Sequence, residues 1–403
     1  MTKIRLILLS LSILVVGSIG IFASYYARGY RFNPSKLKFE PNGILVVKSD
    51  PTGSQILING EFETTSDANI SLAPGTYDVS LKKDGYISWN KRLVIEKEVV
   101  TEISVSLFKS APSLSPVTFN GVINPVASSD YTKILYYVPA LENQASDNIG
   151  LWIVENVNLP IGFSKDPRII TDGNLINASW KFSPDGNEIL MQTSQGTFLL
   201  NSGSFTPQNQ RVNIASRYQL TIDNWEKEIN KEITSNLKSF PDELEKIFLE
   251  NTQTIEFSPD NKKMLYIASN SATLQEGLVK PLPGTSTQKE QRYIENGKIY
   301  VYDIKEDKNF LIAENSEGFI VDGIVPENPT NRLAWFPNSN NVVLAEEGRI
   351  FIMDYDGTSR QEVYSGAYIA PYAFPFASTE RLMILTNLGA NSSTPNLYSL
   401  TIK

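Results

Sequence analysis

The sequence predicts an all-β protein on an N-terminal transmembrane helix, with a small β-sandwich followed by a β-propeller of about five blades. Three observations lead there. Between about residue 125 and the C-terminus one unit recurs five times: a turn, an apolar strand, a gap, and a second strand with an aromatic at its centre. Before it lies a series of short alternating strands punctuated by Gly, Pro, Asn and Asp. At the start of the chain, no charged residue interrupts the apolar run from Leu6 to Ala27.

That run is long enough, at 1.5 Å per helical residue, to cross a hydrocarbon core of roughly 30 Å. Lys3 and Arg5 precede it, and Tyr25, Tyr26 and Tyr30 follow at the depth of an interfacial aromatic belt. With no clean A-x-A cleavage pattern, residues 1–30 read as an uncleaved signal anchor rather than a cleaved leader. The membrane is thus a partner through residues 6–27. The expected location is the cell membrane, single-pass, with the N-terminus cytoplasmic and the C-terminal domains extracytoplasmic. Arg28 and Arg31 lie on the far side, but long domains translocate largely regardless of such charges. Residues 31–42, with Asn33-Pro34 and Pro41-Asn42, are expected to form a linker.

Residues 43–108 carry the sandwich signal. Ile44-Leu45-Val46-Val47 stops at Asp50-Pro51-Thr52-Gly53, and Gln55-Ile56-Leu57-Ile58 stops at Asn59-Gly60, a dipeptide suited to a type I′ hairpin. Thr76-Tyr77-Asp78-Val79-Ser80-Leu81 alternates strictly, and further strands are expected near Lys91–Glu96 and Val100–Leu107, giving seven or fewer. The series from Val47 to Gly60, then Leu72-Ala73-Pro74-Gly75-Thr76-Tyr77-Asp78-Val79 and Lys83-Asp84-Gly85-Tyr86, resembles the PEGA domain family. That resemblance implies a small sandwich in a surface-exposed or envelope protein, and a binding or spacing role. The chain departs from the family pattern around Glu61–Asn69, so that hairpin is expected to be remodelled.

The repeats occupy residues 113–403. The fullest copies are Trp180-Lys181-Phe182-Ser183-Pro184-Asp185-Gly186 before Ile189-Leu190-Met191, and Ile255-Glu256-Phe257-Ser258-Pro259-Asp260-Asn261 before Met264-Leu265-Tyr266. A third runs from Ala334-Trp335-Phe336-Pro337-Asn338 to Val342-Val343-Leu344. Degenerate copies place Asp130 before Ile134-Leu135-Tyr136 and Ser378 before Leu382-Met383-Ile384. In such a turn Pro fixes φ, Asp bonds the local backbone, and Gly or Asn takes the left-handed position. A unit of this size cannot bury its own faces and must stack on its copies. These repeats resemble the TolB-like, WD-repeat-like propeller family, whose F-S-P-D-G turn joins the first two strands of a blade. The fifth copy has no fourth strand after Leu397-Tyr398-Ser399-Leu400, so residues 113–120 are expected to pair there and close the ring.

Two stretches interrupt the repeats. At about 216–251, Trp225, Ile229, Ile233 and Leu237 recur every four residues, predicting helices over roughly 222–237 and 240–250, the second capped by Ser239 with Pro241 in its first turn. Two readings stay open. Either the helices pack on the propeller, or they bind a partner through Trp225, Ile229, Leu244 and Phe248. The second stretch, about 271–291, lacks periodicity and reads as a mobile loop.

Composition excludes much chemistry. The chain has no Cys and no His, hence no disulfide, thiolate nucleophile, imidazole base or ordinary zinc site. Residues 1–43 carry a net charge of +5 within a total of −8, leaving −13 on the rest, which disfavours nucleic acid. Glycoside hydrolysis needs only two carboxylates, which draws attention to Asp185 and Asp260, but their motif assigns them to turns. Calcium needs more oxygen ligands at loop spacing than Asp354-Tyr355-Asp356-Gly357 or Asp303 with Glu306-Asp307 supplies. The sequence therefore predicts no catalytic residue, no metal and no cofactor. The expected function is a non-catalytic binding or scaffold protein for a protein or cell-envelope polymer. The alternatives are a carbohydrate-active enzyme using a carboxylate pair and a structural surface-layer component.

Overall fold

The computed structural model describes residues 2–27, 30–33, 38–140, 148–155, 166–279, 286–321, 325–388 and 394–403. The chain divides into two units, Met1–Leu107 with Lys280–Gln288, and Phe108–Val279 with Lys289–Lys403.

The first unit begins with helix α1 (Thr2–Ala27), whose span Ile7–Ala27 is long and apolar enough to cross a membrane and buries nothing against the rest of the chain. The expected linker is instead a two-stranded ribbon, Tyr30–Asn33 against Lys38–Pro41, with Arg31 in register with Glu40 and Phe32 with Phe39. The alternation on both sides of Asn33-Pro34 carried that signal; residues 34–37 of the expected linker lie outside the described ones.

Seven strands then form the sandwich. Gly43–Asp50 lies between Ala68–Leu72 and a parallel neighbour, Val100–Ser106. The other sheet runs Glu61–Thr65, Gln55–Ile58, Gly75–Lys82, Trp89–Ile95. Alternate residues Leu45, Val47, Ile56, Val79, Leu81 and Leu93 point inward and fill the core around Trp89. Asn59 and Gly60 have φ of 51° and 87°, the two left-handed residues a type I′ turn requires. Between Glu61 and Asn69 the chain leaves one sheet and enters the other.

Five sheets make the propeller. Blade 1 consists of Ile123–Ala127, Lys133–Val138, Gly150–Glu155 and Arg168–Asp172; blade 2 of Ser179–Phe182, Glu188–Thr193 and Gly196–Asn201. Blade 3 consists of Thr252–Phe257, Lys263–Ala268, Ile299–Asp303 and Lys308–Ala313. Blade 4 adds a short parallel strand, Phe319–Ile320, to Asn331–Trp335, Asn341–Glu346, Arg349–Asp354 and Gln361–Ser365. Blade 5 takes Ala373–Pro375, Arg381–Thr386 and Asn396–Thr401 from the end of the chain. Its fourth strand is Ser113–Pro116, antiparallel to Asn396–Thr401 with Ser113 opposite Thr401 and Pro116 opposite Tyr398. The expected strap is therefore present. Lys109 N–H to Ile402 and Val122 N–H to Pro395, at 2.8 Å each, extend the pairing on both sides.

Alternate faces of each apolar strand serve different neighbours. Leu135 and Tyr137 of blade 1 pack on Trp180, Ile189 and Met191 of blade 2, while Ile134 and Tyr136 pack on Phe374, Met383 and Leu385 of blade 5. Leu265 and Val301 of blade 3 meet Leu333, Trp335 and Val342 of blade 4.

Between blades 2 and 3 the neighbour is helical. Helix α2 (Tyr218–Leu237) sets Ile222 and Trp225 against Leu190 and Leu199 of blade 2. Its other end brings Ile233 and Leu237, with Phe240 and with Leu244 and Phe248 of helix α3 (Asp242–Asn251), against Met264, Tyr266, Tyr300 and Tyr302 of blade 3. Residues spaced by four advance about 40° per step on a 3.6-residue helix, so Leu237 lies about 120° round from Trp225. One helix can thus face two sheets. Phe248 stacks edge-on to Tyr266 and Tyr302, with ring centroids 5.4 and 5.1 Å apart. Ser239 does not cap α3, since its hydroxyl donates to the Asn236 carbonyl at 2.8 Å and closes α2; Pro241 stands at the α3 start and Asp242, Glu243 and Glu245 occupy its positive end.

The second interruption is more ordered than its composition implies. Ala272–Thr273 pairs with Tyr293–Ile294, Leu274 N–H bonds the Arg292 carbonyl at 2.8 Å, and Leu274 is buried; residues 280–285 lie outside the described ones.

Replacing Trp225 or Phe248 by Ala is expected to cost about 3–5 kcal/mol, because neither cavity can collapse between two packed elements. Ile229→Ser, at a position 42% exposed, should stay within about 0.5 kcal/mol. Urea unfolding of the three variants checks both.

Candidate functional site

The first strands of the blades converge: Ile123–Ala127 touches Ser179–Phe182, and Asn331–Trp335 touches Ala373–Pro375. Where they meet, Arg332 draws in four of the five blades. Its Nε donates to the Pro371 carbonyl at 3.3 Å, and its guanidinium lies 4.7 Å from the centre of the Phe374 ring. Tyr131 of blade 1 is hydrogen-bonded to it, and Tyr372 and Glu256 add their fields from blades 5 and 3. Burial pulls the guanidinium below its ordinary value, and those three groups work in the opposite direction. Burial also raises the Tyr372 phenol, with Arg332 opposing. Trp335 Nε1 donates to the Glu256 carbonyl at 3.0 Å, tying blades 3 and 4 beside the cluster. Such a delocalised cation stacks on rings and bonds several acceptors from one plane, which suits a junction of several strands. The signal in the sequence was an arginine running directly into the apolar Leu333-Ala334-Trp335 of the strand Asn331–Trp335.

The repeated turns use their acids structurally. Asp185 Oδ1 accepts from the Ser183 hydroxyl at 2.5 Å and from the Asn187 N–H at 3.0 Å. Asp260 repeats this with Ser258 at 2.8 Å and Lys262 N–H at 3.2 Å, and Asp130 with Ser128 at 2.5 Å and Thr132 N–H at 3.0 Å. The serine is the residue that motif reasoning undervalued. Its Oγ accepts the N–H of the next strand's first residues, Lys133, Glu188 and Lys263, at 2.9–3.0 Å. Left-handed φ values fall on Gly186 and Asn261 as expected, on Ser339 in the third copy, and on Tyr131 in the degenerate copy at Asp130. The Ser183 hydroxyl, followed by the Asn187 amide, holds the Asp185 carboxyl below the usual range. At Asp130 and Asp260 burial pushes upward, but the same hydroxyl and amide bonds prevail. Asp303 and Asp356 cap their own turns through Glu306 N–H at 2.9 Å and Thr358 N–H at 3.2 Å.

Of the four residues weighed for partner binding, Leu244 and Phe248 are fully buried and Trp225 nearly so, all within the contacts between helices and blades. Ile229 lies on the outer side of α2 and, with Leu220 at 57% exposed, forms the apolar part of that surface. The structure does not bring the four together on one face.

Residues 42–111 match the PEGA domain family. The match spans the sandwich, including Glu61–Asn69, where the chain changes sheets. No curated protein matches the chain. Among solved structures, putative TolB from Agrobacterium tumefaciens aligns over 71% of this chain and 80% of its own, at 11% identity and a TM-score of 0.23. TolB from Acinetobacter baumannii aligns over 81% of this chain and 60% of its own, at 14% identity and a TM-score of 0.19. An acylaminoacyl peptidase from Pyrococcus horikoshii aligns over 71% and 39%, at 12% identity and a TM-score of 0.21. The propeller stands on its own strand order and blade contacts rather than on these alignments.

The turns give a pH-dependent expectation. A carboxyl held below its unfolded value of 3.8 contributes stability that is present above that pH and lost as pH falls through the lower folded value. Ser183→Ala removes the main cause, and should cost about 1 kcal/mol near neutrality. The difference from the wild type should narrow below about pH 4, leaving only the unpaired Glu188 amide; urea titrations at pH 7 and pH 3 measure it.

Proposed function

We propose that this protein is a non-catalytic, membrane-anchored binding or scaffold protein whose sandwich and propeller lie outside the cell membrane. The observation that carries this reading is the order of parts: an unburied apolar helix, a PEGA sandwich, then a ring of sheets. A ring of this kind offers loops at both ends of a rigid disc, suited to holding a protein or an envelope polymer. The non-catalytic part is supported by the fate of the candidate acids. Asp185 and Asp260 are engaged in their turns, and Glu256 lies beside the buried Arg332.

The orientation is supported by Lys3 and Arg5 before the span and tyrosines after it. In cells producing the full chain with a C-terminal epitope, protease added from outside, after any outer barrier is opened, should remove the epitope. The protein should stay with membranes on alkaline extraction. An epitope protected until the cell membrane is lysed, or extraction into the soluble fraction, contradicts the proposal.

A further inference from the structure

A cavity of about 250 Å³ opens where residues 117–120, just past the strap, run over the blade 5 side of blade 1. Among the described residues, three aromatics line it, Phe119, Tyr136 and Trp152, together with one ionisable acid, Asp166, and no Lys or Arg. Tyr136 is only 2% exposed, yet its hydroxyl makes no hydrogen bond among the described residues. Burial alone raises its phenol well above the ordinary value, with no neighbouring group acting on it. Asp166 is exposed and has no ion pair among the described residues. The remaining polar groups are used by the fold. Thr118 Oγ1 donates to Asn396 at 3.1 Å and accepts the Leu397 N–H at 2.9 Å, and Trp152 Nε1 donates to the Asn148 carbonyl at 2.9 Å.

An aromatic-walled cavity with one unneutralised carboxylate complements a positive charge carried on a greasy group. Ring faces attract ammonium ions more strongly when water is excluded, and the acid adds a Coulomb term. A sugar would call for several free directional donors and acceptors, and here most are already committed. We infer that this cavity binds an alkylammonium group, such as a lysine side chain or a choline-type head presents. Tyr136 would turn its unpartnered oxygen to the ligand, Phe119 at 75% exposed would cover the entrance, and Asp166 would supply the counter-charge. This deepens the binding role proposed above by naming a ligand chemistry, and it holds whichever side of the membrane the propeller faces.

The test is calorimetric titration of the full chain in nonionic detergent with tetramethylammonium chloride or n-butylammonium chloride. Sodium chloride at matched ionic strength and N-acetylglucosamine serve as controls. Saturable binding of one ammonium probe is expected, weakened about tenfold by Asp166→Asn and several-fold by Phe119→Ala. The melting temperature of both variants should match the wild type, because both positions are exposed. Tighter binding of tetramethylammonium points to a choline-type source, and of n-butylammonium to a lysine side chain. Absence of saturable ammonium binding overturns the inference, as does unchanged binding by Asp166→Asn or tighter binding of the neutral sugar.

Discussion

A ring of sheets has to be closed, because every open junction leaves apolar faces and unpaired strand edges in water. In this chain closure falls to the hydrogen bonds between Ser113–Pro116 and Asn396–Thr401. They join the beginning and end of the propeller within one sheet. Blade 5 can then present Met383 and Leu385 to blade 1 and carry Pro371 and Phe374 to the axis, where Arg332 meets them. The backbone pairing costs no special residue types, which is why Ser113, Leu114 and Ser115 suffice.

The second junction is met by different means. Blades 2 and 3 are separated by the longest interruption of the repeat, and the interruption itself fills the space. A four-residue spacing lets α2 rotate its apolar side from Leu190 and Leu199 toward Met264 and Tyr266 along its length. The aromatic set Phe240, Phe248, Tyr266, Tyr300 and Tyr302 does for blade 3 what a neighbouring sheet does elsewhere. The helical pair is thus part of the ring, and Leu220, Ile229 and Leu249 are the large apolar side chains it leaves exposed. At the axis, a guanidinium shared between Tyr131, Glu256, Pro371 and Phe374 relates blades that are not sequence neighbours. Such a polar centre specifies an arrangement that apolar packing alone would leave loosely defined.

Local chemistry was the legible part of this sequence. The Asn59-Gly60 hairpin, the S-P-D turns and the alternating strands each carry their signal within a few residues, and so does the five-fold recurrence that implies stacking. The strap could be placed as well, because a count of strands per blade left one edge uncovered. What stayed hidden depends on partners far away in the chain. Trp225 and Phe248 leave a docking surface open as a reading until Leu190 and Tyr302 are seen against them. Ser239 resembles a cap for the next helix, but its hydroxyl closes the previous one. The ribbon at Tyr30–Asn33 and Lys38–Pro41 was hard to read because each strand is only four residues long. The cavity beside Asp166 draws on residues from four separate segments of the chain.

In the function proposed above, α1 holds the protein at a membrane, the PEGA sandwich of residues 42–111 follows, and the ring is the working surface. The ring carries that role, and because the chain has no cysteine an introduced pair can test ring closure directly. Ser113 and Thr401 are directly opposed in the strap pairing, at a spacing a disulfide can bridge. In the Ser113→Cys, Thr401→Cys double variant, mild oxidation should form an intramolecular disulfide close to quantitatively and raise the melting temperature, reversibly on reduction. Thiols that stay free, or that link only between molecules, would contradict the closed ring.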